Sequence, residues 1–175
     1  MKKCLFLWQA AGFIFTGALG TILHFLYDWS NESLFTALFA AVDESIFQHM
    51  KLLFFPMLIF SFIQARFIKC SLQSFFGTKL VGITIGILMI PTLYYTYTGA
   101  LGVSADWFNI VIFFICAAFV YWLEYKLFSK GIKFKISDFV AKTVLFLMAL
   151  IFIFLTFNPP HIPLFADPLT KLYGI

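Results

Sequence analysis

Charge is scarce in this sequence. Asp, Glu, Lys and Arg together make up 11% of 175 residues, against 62% hydrophobic residues, and the mean hydropathy is strongly positive. A water-soluble domain of this length has to present far more polar surface, so the composition excludes one and makes lipid the solvent of most of the chain. Cysteine is scarce too. Cys4, Cys70 and Cys116 form neither a disulfide framework nor a metal-ligand spacing. Cys116 falls in an apolar run and reads as a small buried apolar residue. Also missing are soluble linkers, low-complexity tracts, internal repeats and the period-two alternation of barrel strands. The length leaves no room for a separate soluble part, so residues 1–175 read as a single membrane domain.

The net charge of +4 is not patterned for nucleic acid. The cations cluster at the ends of apolar runs, as in Lys2–Lys3 and Lys130, Lys133 and Lys135, which suits anionic headgroups and the positive-inside rule. The lipid bilayer is the expected partner, and nucleic acid is not one.

What the chain has in abundance is apolar length. A helix needs about 20 mainly apolar residues to cross the hydrocarbon. Five stretches qualify, at roughly 4–27, 45–65, 77–98, 106–128 and 136–157, and they must be helical because lipid offers the backbone no hydrogen bonds. The expected fold is therefore all-α, a polytopic bundle of five transmembrane helices. The first run follows Met1-Lys2-Lys3 and extends to Tyr27, longer than a signal core. Ala18 and Gly20 offer a poor cleavage site, so it reads as an uncleaved span. Pro56 and Pro91 fall inside spans two and three, where each should kink the helix and free a carbonyl.

The connecting segments alternate in charge. Lys2 and Lys3 precede span one, Arg66, Lys69 and Lys79 belong to the second loop, and Lys126, Lys130, Lys133 and Lys135 to the fourth. The first loop instead carries Asp28, Glu32 and Asp43, and the third Asp106, while the tail 158–175 carries Asp167 and Lys171. This asymmetry predicts the N-terminus in the cytoplasm and the C-terminus outside, in a multi-pass protein of the plasma membrane. Residues 34–42 (LFTALFAAV) are apolar but too short to cross, which suggests an interfacial or re-entrant helix on the outer side, capped by Ser33.

Ionisable residues at or inside a span are the most informative ones in a membrane protein. They concentrate on the expected outer side, where all three histidines fall. Span one ends with His24, Tyr27 and Asp28, and span two opens with Asp43, Glu44, Ser45, Gln48, His49 and Lys51. Span three ends in Tyr94, Tyr95 and Tyr97, and the tail holds His161 and Asp167. At about 100° per residue, Lys51, Glu44, Gln48, Ser45 and His49 occupy one arc of roughly 160°. Gly17, Gly20, Thr21 and His24 form a small-residue stripe that admits close helix approach and carries His24 toward that arc.

Plainer readings account for several of these residues. Asp43 and Ser45 suit a helix cap, and Asp106 the N-cap of span four. Tyr94, Tyr95, Tyr97 and Trp107 suit an interfacial aromatic belt. Lys126, Lys142 and Glu124 sit near the cytoplasmic interface, where snorkelling explains them. His24, Glu44, His49 and Lys51 are not so disposed of, because capping needs no histidine and snorkelling does not explain a cation inside a polar arc.

The segments His24 to Ser30 (HFLYDWS) and Val42 to Pro56 (VDESIFQHMKLLFFP) resemble an uncharacterised family of small polytopic membrane proteins of Firmicutes. The Tyr94 to Gly99 run, Pro159-Pro160-His161, Phe165 to Pro168 and the closing Tyr173-Gly174 fit the same pattern. That resemblance covers nearly the whole chain; it implies a bacterial membrane protein and no activity. Asp43 stands where many relatives are expected to have Asn. A fainter likeness is to membrane-embedded metal hydrolases of the ceramidase and adiponectin-receptor type, although the HxxxH pair is absent and the spans are fewer.

Three functions follow as expectations. The first is a membrane hydrolase with Glu44, His49 and Lys51 as catalytic groups. In its metal form His24, His49, His161 and Glu44 hold Zn²⁺; in its metal-free form His49 acts as a base on water or on Ser45. The second is a small transporter or ligand-binding protein, with an anionic-substrate or ion site on Lys51 and Glu44, acting as a homo-oligomer on a small-molecule or lipid ligand. The third is an assembly protein in which the polar layer locks the helices together.

Overall fold

Lipid forces each segment to close its own backbone hydrogen bonds, and the chain does so with helices. The computed structural model describes residues 2–68, 74–168 and 170–174; Lys69 and Cys70 lie outside them. The described residues form α1 (Lys2–Trp29), α2 (Leu34–Ala37), α3 (Ile46–Phe67), α4 (Phe75–Leu101), α5 (Asp106–Ser129) and α6 (Asp138–Phe157), followed by a 3-10 turn at Pro163–Phe165. All but α2 are long and apolar enough to cross a membrane. Among the described residues the only β pairing is a single bridge between Ala166 and Tyr173. The protein is an all-α, multi-pass membrane bundle.

The five long helices alternate in direction. One end of the bundle gathers Lys2, Lys3, Arg66 and Lys130 and is here called the basic end; the other carries His24 and His49 and is called the histidine end. Helix α1 packs against α3 and α5, and α4 packs against the same two, so these four helices close a ring; α6 leans on α4 and, less, on α3. At the basic end Asp138 of α6 accepts a hydrogen bond from the backbone N–H of Phe76, 3.1 Å away, at the start of α4. Helix α3 is the most buried of the five, which is why its polar residues Gln48, Lys51, Ser61 and Gln64 are all buried.

Two local expectations need correction. The segment 34–42 is not a helix throughout: one turn ends at Ala37 and the rest runs in turns that bury Ala37, Ala40 and Ala41. Four residues cannot amortise helix nucleation. The segment is instead held by its neighbours, for example by the Ala41 N–H on the Leu23 carbonyl of α1 at 3.2 Å. Ser33 stands at the cap position of α2, but its side chain makes no capping bond. Helices α3 and α4 continue through Pro56 and Pro91. The carbonyl that Pro56 leaves without its helical donor is that of Leu52, and it faces Gly20 of α1.

Glycine sets the closest approaches. A Cβ on Gly86 of α4 would lie 2.6 Å from the Val120 side chain of α5. Gly86→Val is therefore expected to push α4 from α5 and cost about 1–3 kcal/mol. Gly99, with open space around it, should accept Ala without loss. Thermal unfolding of both variants in detergent checks the contrast.

Candidate functional site

The site is built where α3 begins. Ser45 is the N-cap, its hydroxyl accepting from the Gln48 N–H at 3.4 Å, and Asp43 in turn accepts from the Ser45 N–H at 2.8 Å. These two residues form the start of the helix, and Glu44 between them precedes its first turn. Glu44 is left half-exposed, with nothing in the cap using its carboxylate.

One turn into α3, His49 Nδ1 lies 2.9 Å from the Ser45 carbonyl oxygen. A carbonyl only accepts, so Nδ1 carries the proton, and in the neutral imidazole Nε2 presents a lone pair. That lone pair faces the Glu44 carboxylate, Nε2 to Oε2 being 3.8 Å. From α1, His24 brings its Nε2 to 3.6 Å from Glu44 Oε1, and the two imidazole centroids are 5.8 Å apart. One ligand atom from each of the three residues lies within 4.8 Å of the others. Two acceptors facing each other repel unless a cation, a proton or a metal ion, lies between them. A tetrahedral zinc with bonds of about 2.0–2.2 Å places its ligand atoms roughly 3.4 Å apart, a little inside the 3.6 and 3.8 Å that separate the two imidazoles from the Glu44 carboxylate. The bond from His49 Nδ1 to a backbone carbonyl is also the kind of outer contact that orients metal-ligating histidines.

Beside the two histidines a small apolar pocket of about 120 Å³ lies between α1, α3 and α5, lined by Thr21, Leu52, Ile110, Phe113 and Phe114 among others. Thr21 and Ile110 are exposed on the outside of the bundle, which is where lipid surrounds a membrane protein.

The structure brings together His24, Glu44 and His49. It places Lys51 and His161 elsewhere. The Lys51 ammonium is fully buried and donates to the Ala37 carbonyl and to the Thr156 hydroxyl, each at 3.0 Å. It ties the α2 segment and α6 to α3, and it neither snorkels nor pairs with Glu44. Lys51→Met leaves those acceptors dry and is expected to cost about 2–3 kcal/mol, read as a lower Tm together with faster proteolysis of residues 30–45. His161 is exposed, its ring 4.7 Å from that of Tyr173. The tail docks instead through Phe165, 4.4 Å from Phe47 of α3. Ser45 is buried, and its hydroxyl serves the cap while His49 touches its carbonyl. Tyr97 donates to Asn109 at 2.7 Å and accepts from the Ala105 N–H, closing the turn between α4 and α5. That turn makes Ala105 the N-cap of α5 and Asp106 its first helical residue; the Asp106 side chain lies outside what is described.

Sequence reasoning missed a second polar cluster at the basic end. Lys79 and Glu124 do not belong to a loop and an interface: both are fully buried and pair with each other, Nζ to Oε2 at 2.5 Å. The available signal was helical spacing. Lys79, Gly82 and Gly86 share one face of α4, and Val120, Tyr121 and Glu124 one face of α5, so the glycines that admit α5 also admit its carboxylate.

The family model described as Family of unknown function (DUF6512) matches residues 2–175. The chain belongs to that family. No curated protein and no solved structure matches it.

Proposed function

We propose that this membrane protein of the DUF6512 family binds a zinc ion on His24, His49 and Glu44, on the outer face of the bacterial plasma membrane, and uses it to hydrolyse a membrane-borne substrate. The observation that carries the reading is the convergence of three ligand atoms from α1, α3 and the turn between them, with the His49 tautomer set by the Ser45 carbonyl. Three protein ligands leave a fourth position for water, and His₂Glu is a ligand set that catalytic zinc uses. Zinc lowers the pKa of that water so that a nucleophile exists at neutral pH. The half-exposed Glu44 gives water an entry, and the apolar pocket beside the histidines suits the hydrocarbon part of a substrate arriving from the bilayer. The cations at the basic end favour placing that end in the cytoplasm and the histidines outside.

Engagement of Lys51 with Ala37 and Thr156 favours this reading over a transport site built on that ammonium. Elemental analysis of protein purified in detergent is the test, with about one zinc per chain expected. His24→Ala and His49→Ala should each remove it while helix content is kept. Metal-free wild type after zinc loading, or variants that keep the metal, would defeat the reading.

A further inference from the structure

The buried polar residues at the basic end are only partly satisfied. The amide nitrogen and oxygen of Gln9 and of Gln64, and Oε1 of Glu124, are buried with no hydrogen-bond partner among the described residues. Helix register puts them at one level. Gly12 of α1 packs against the rings of Phe60 and Tyr121, the nearest atoms of which lie within 3 Å of where its Cβ would be, and those two rings are 6.1 Å apart. Gln9, Gln64 and Glu124 lie about one turn from Gly12, Phe60 and Tyr121 respectively, and in each case the turn leads toward the basic end. Lys79 enters the same level from α4, with Nζ on Glu124 and 5.5 Å from the centroid of the Tyr121 ring.

Left dry, each of these atoms carries the full penalty of an unmade hydrogen bond. Something must satisfy them, and the charges say what. Lys79 and Glu124 already neutralise each other, so an ion of either sign would meet a like charge beside its counter-charge. The open positions comprise two amide donors and three oxygen acceptors, which a molecule that both donates and accepts can fill.

We propose that water occupies this level, about two molecules making roughly three hydrogen bonds each, and bridges Gln9 and Gln64 to the free oxygen of Glu124. The Lys79–Glu124 pair then sits in a hydrated chamber inside the bundle, and its carboxylate can exchange protons through that water. The chamber is independent of the histidine cluster: His24 lies about 22 Å further along α1 than Gln9, and the Thr16–Tyr121 hydroxyl pair, at 2.8 Å, stands between them.

The experiment is hydroxyl-radical labelling by millisecond X-ray radiolysis of the intact protein in detergent, which marks buried side chains that touch bound water. Phe60 and Phe55 are both on α3 and each 4% exposed, which makes them a matched pair. Phe60 should label several-fold faster than Phe55, and Gln64→Met should bring it down to the Phe55 rate without raising Tm. Equal labelling of Phe60 and Phe55 in the wild type overturns the proposal. A Gln64→Met protein of raised Tm also overturns it, because removing a dry, unpartnered amide stabilises. Should Gln64→Met fail to fold, the wild-type comparison decides alone.

Discussion

Removing one partner of the Lys79–Glu124 pair is expected to destabilise the protein by about 3–5 kcal/mol, and removing both together to cost far less. The asymmetry follows from where the pair sits. Both side chains are fully buried, so Lys79→Met leaves a carboxylate with no cation near it, and Glu124→Leu leaves an ammonium between the rings of Phe75 and Tyr121. Either state keeps a full charge inside the bundle, away from bulk water and without its counter-charge. The double variant Lys79→Met/Glu124→Leu leaves no charge, and its apolar side chains fill much of the same volume. Unfolding of the four proteins in mixed micelles completes a double-mutant cycle. Purely additive losses would mean that the two groups do not stabilise each other.

The second large effect is on metal affinity. If a bound zinc contributes on the order of 10–16 kcal/mol through its full set of ligands, one protein ligand accounts for about 3 kcal/mol, or roughly a hundredfold in Kd. His24→Ala, Glu44→Ala and His49→Ala should each show that loss in competition titrations against a chromophoric chelator. His161→Ala should show none, because its imidazole lies by Tyr173 and outside the convergent group. Asp43→Asn should also leave Kd within about twofold, since Asn retains the oxygen that accepts from the Ser45 N–H. A loss in the Asp43 variant as large as in the histidine variants would move the metal away from Glu44.

How much of this was legible in the sequence depends on which force placed each residue. The long helices follow from hydropathy alone, because lipid permits few alternatives. His24 and His49 could be brought together on paper by the Gly17–Gly20 stripe and by the helical arc of span two. The arc misled for Lys51, which shares it with Glu44 only if the helix includes Glu44. The cap at Ser45 starts the helix after Glu44, and the lysine finds acceptors from α2 and α6 that no local pattern announces. His161 drew notice as one of three histidines, but the tail is docked by Phe165, and which aromatic wins such a pocket is settled by packing across the whole fold. Lys79 and Glu124 failed for a different reason. Each is about one turn from a helix end, where snorkelling is the ordinary explanation, and only the glycine-permitted approach of α4 to α5 makes pairing the better alternative.

The three candidate ligands at the histidine end come from different places along the chain: the last turns of α1, the turn before α3, and the first turn of α3. An ion gripping all three would act as a clasp, closing a loop of chain whose own helix is a single turn. Folding and metal would then be thermodynamically linked, with stability rising by about 2.7 kcal/mol when free zinc stands a hundredfold above its Kd. Stripped of metal, the protein would open first at that loop and keep its basic end shut. Its melting curve would then report the free metal at the histidine end.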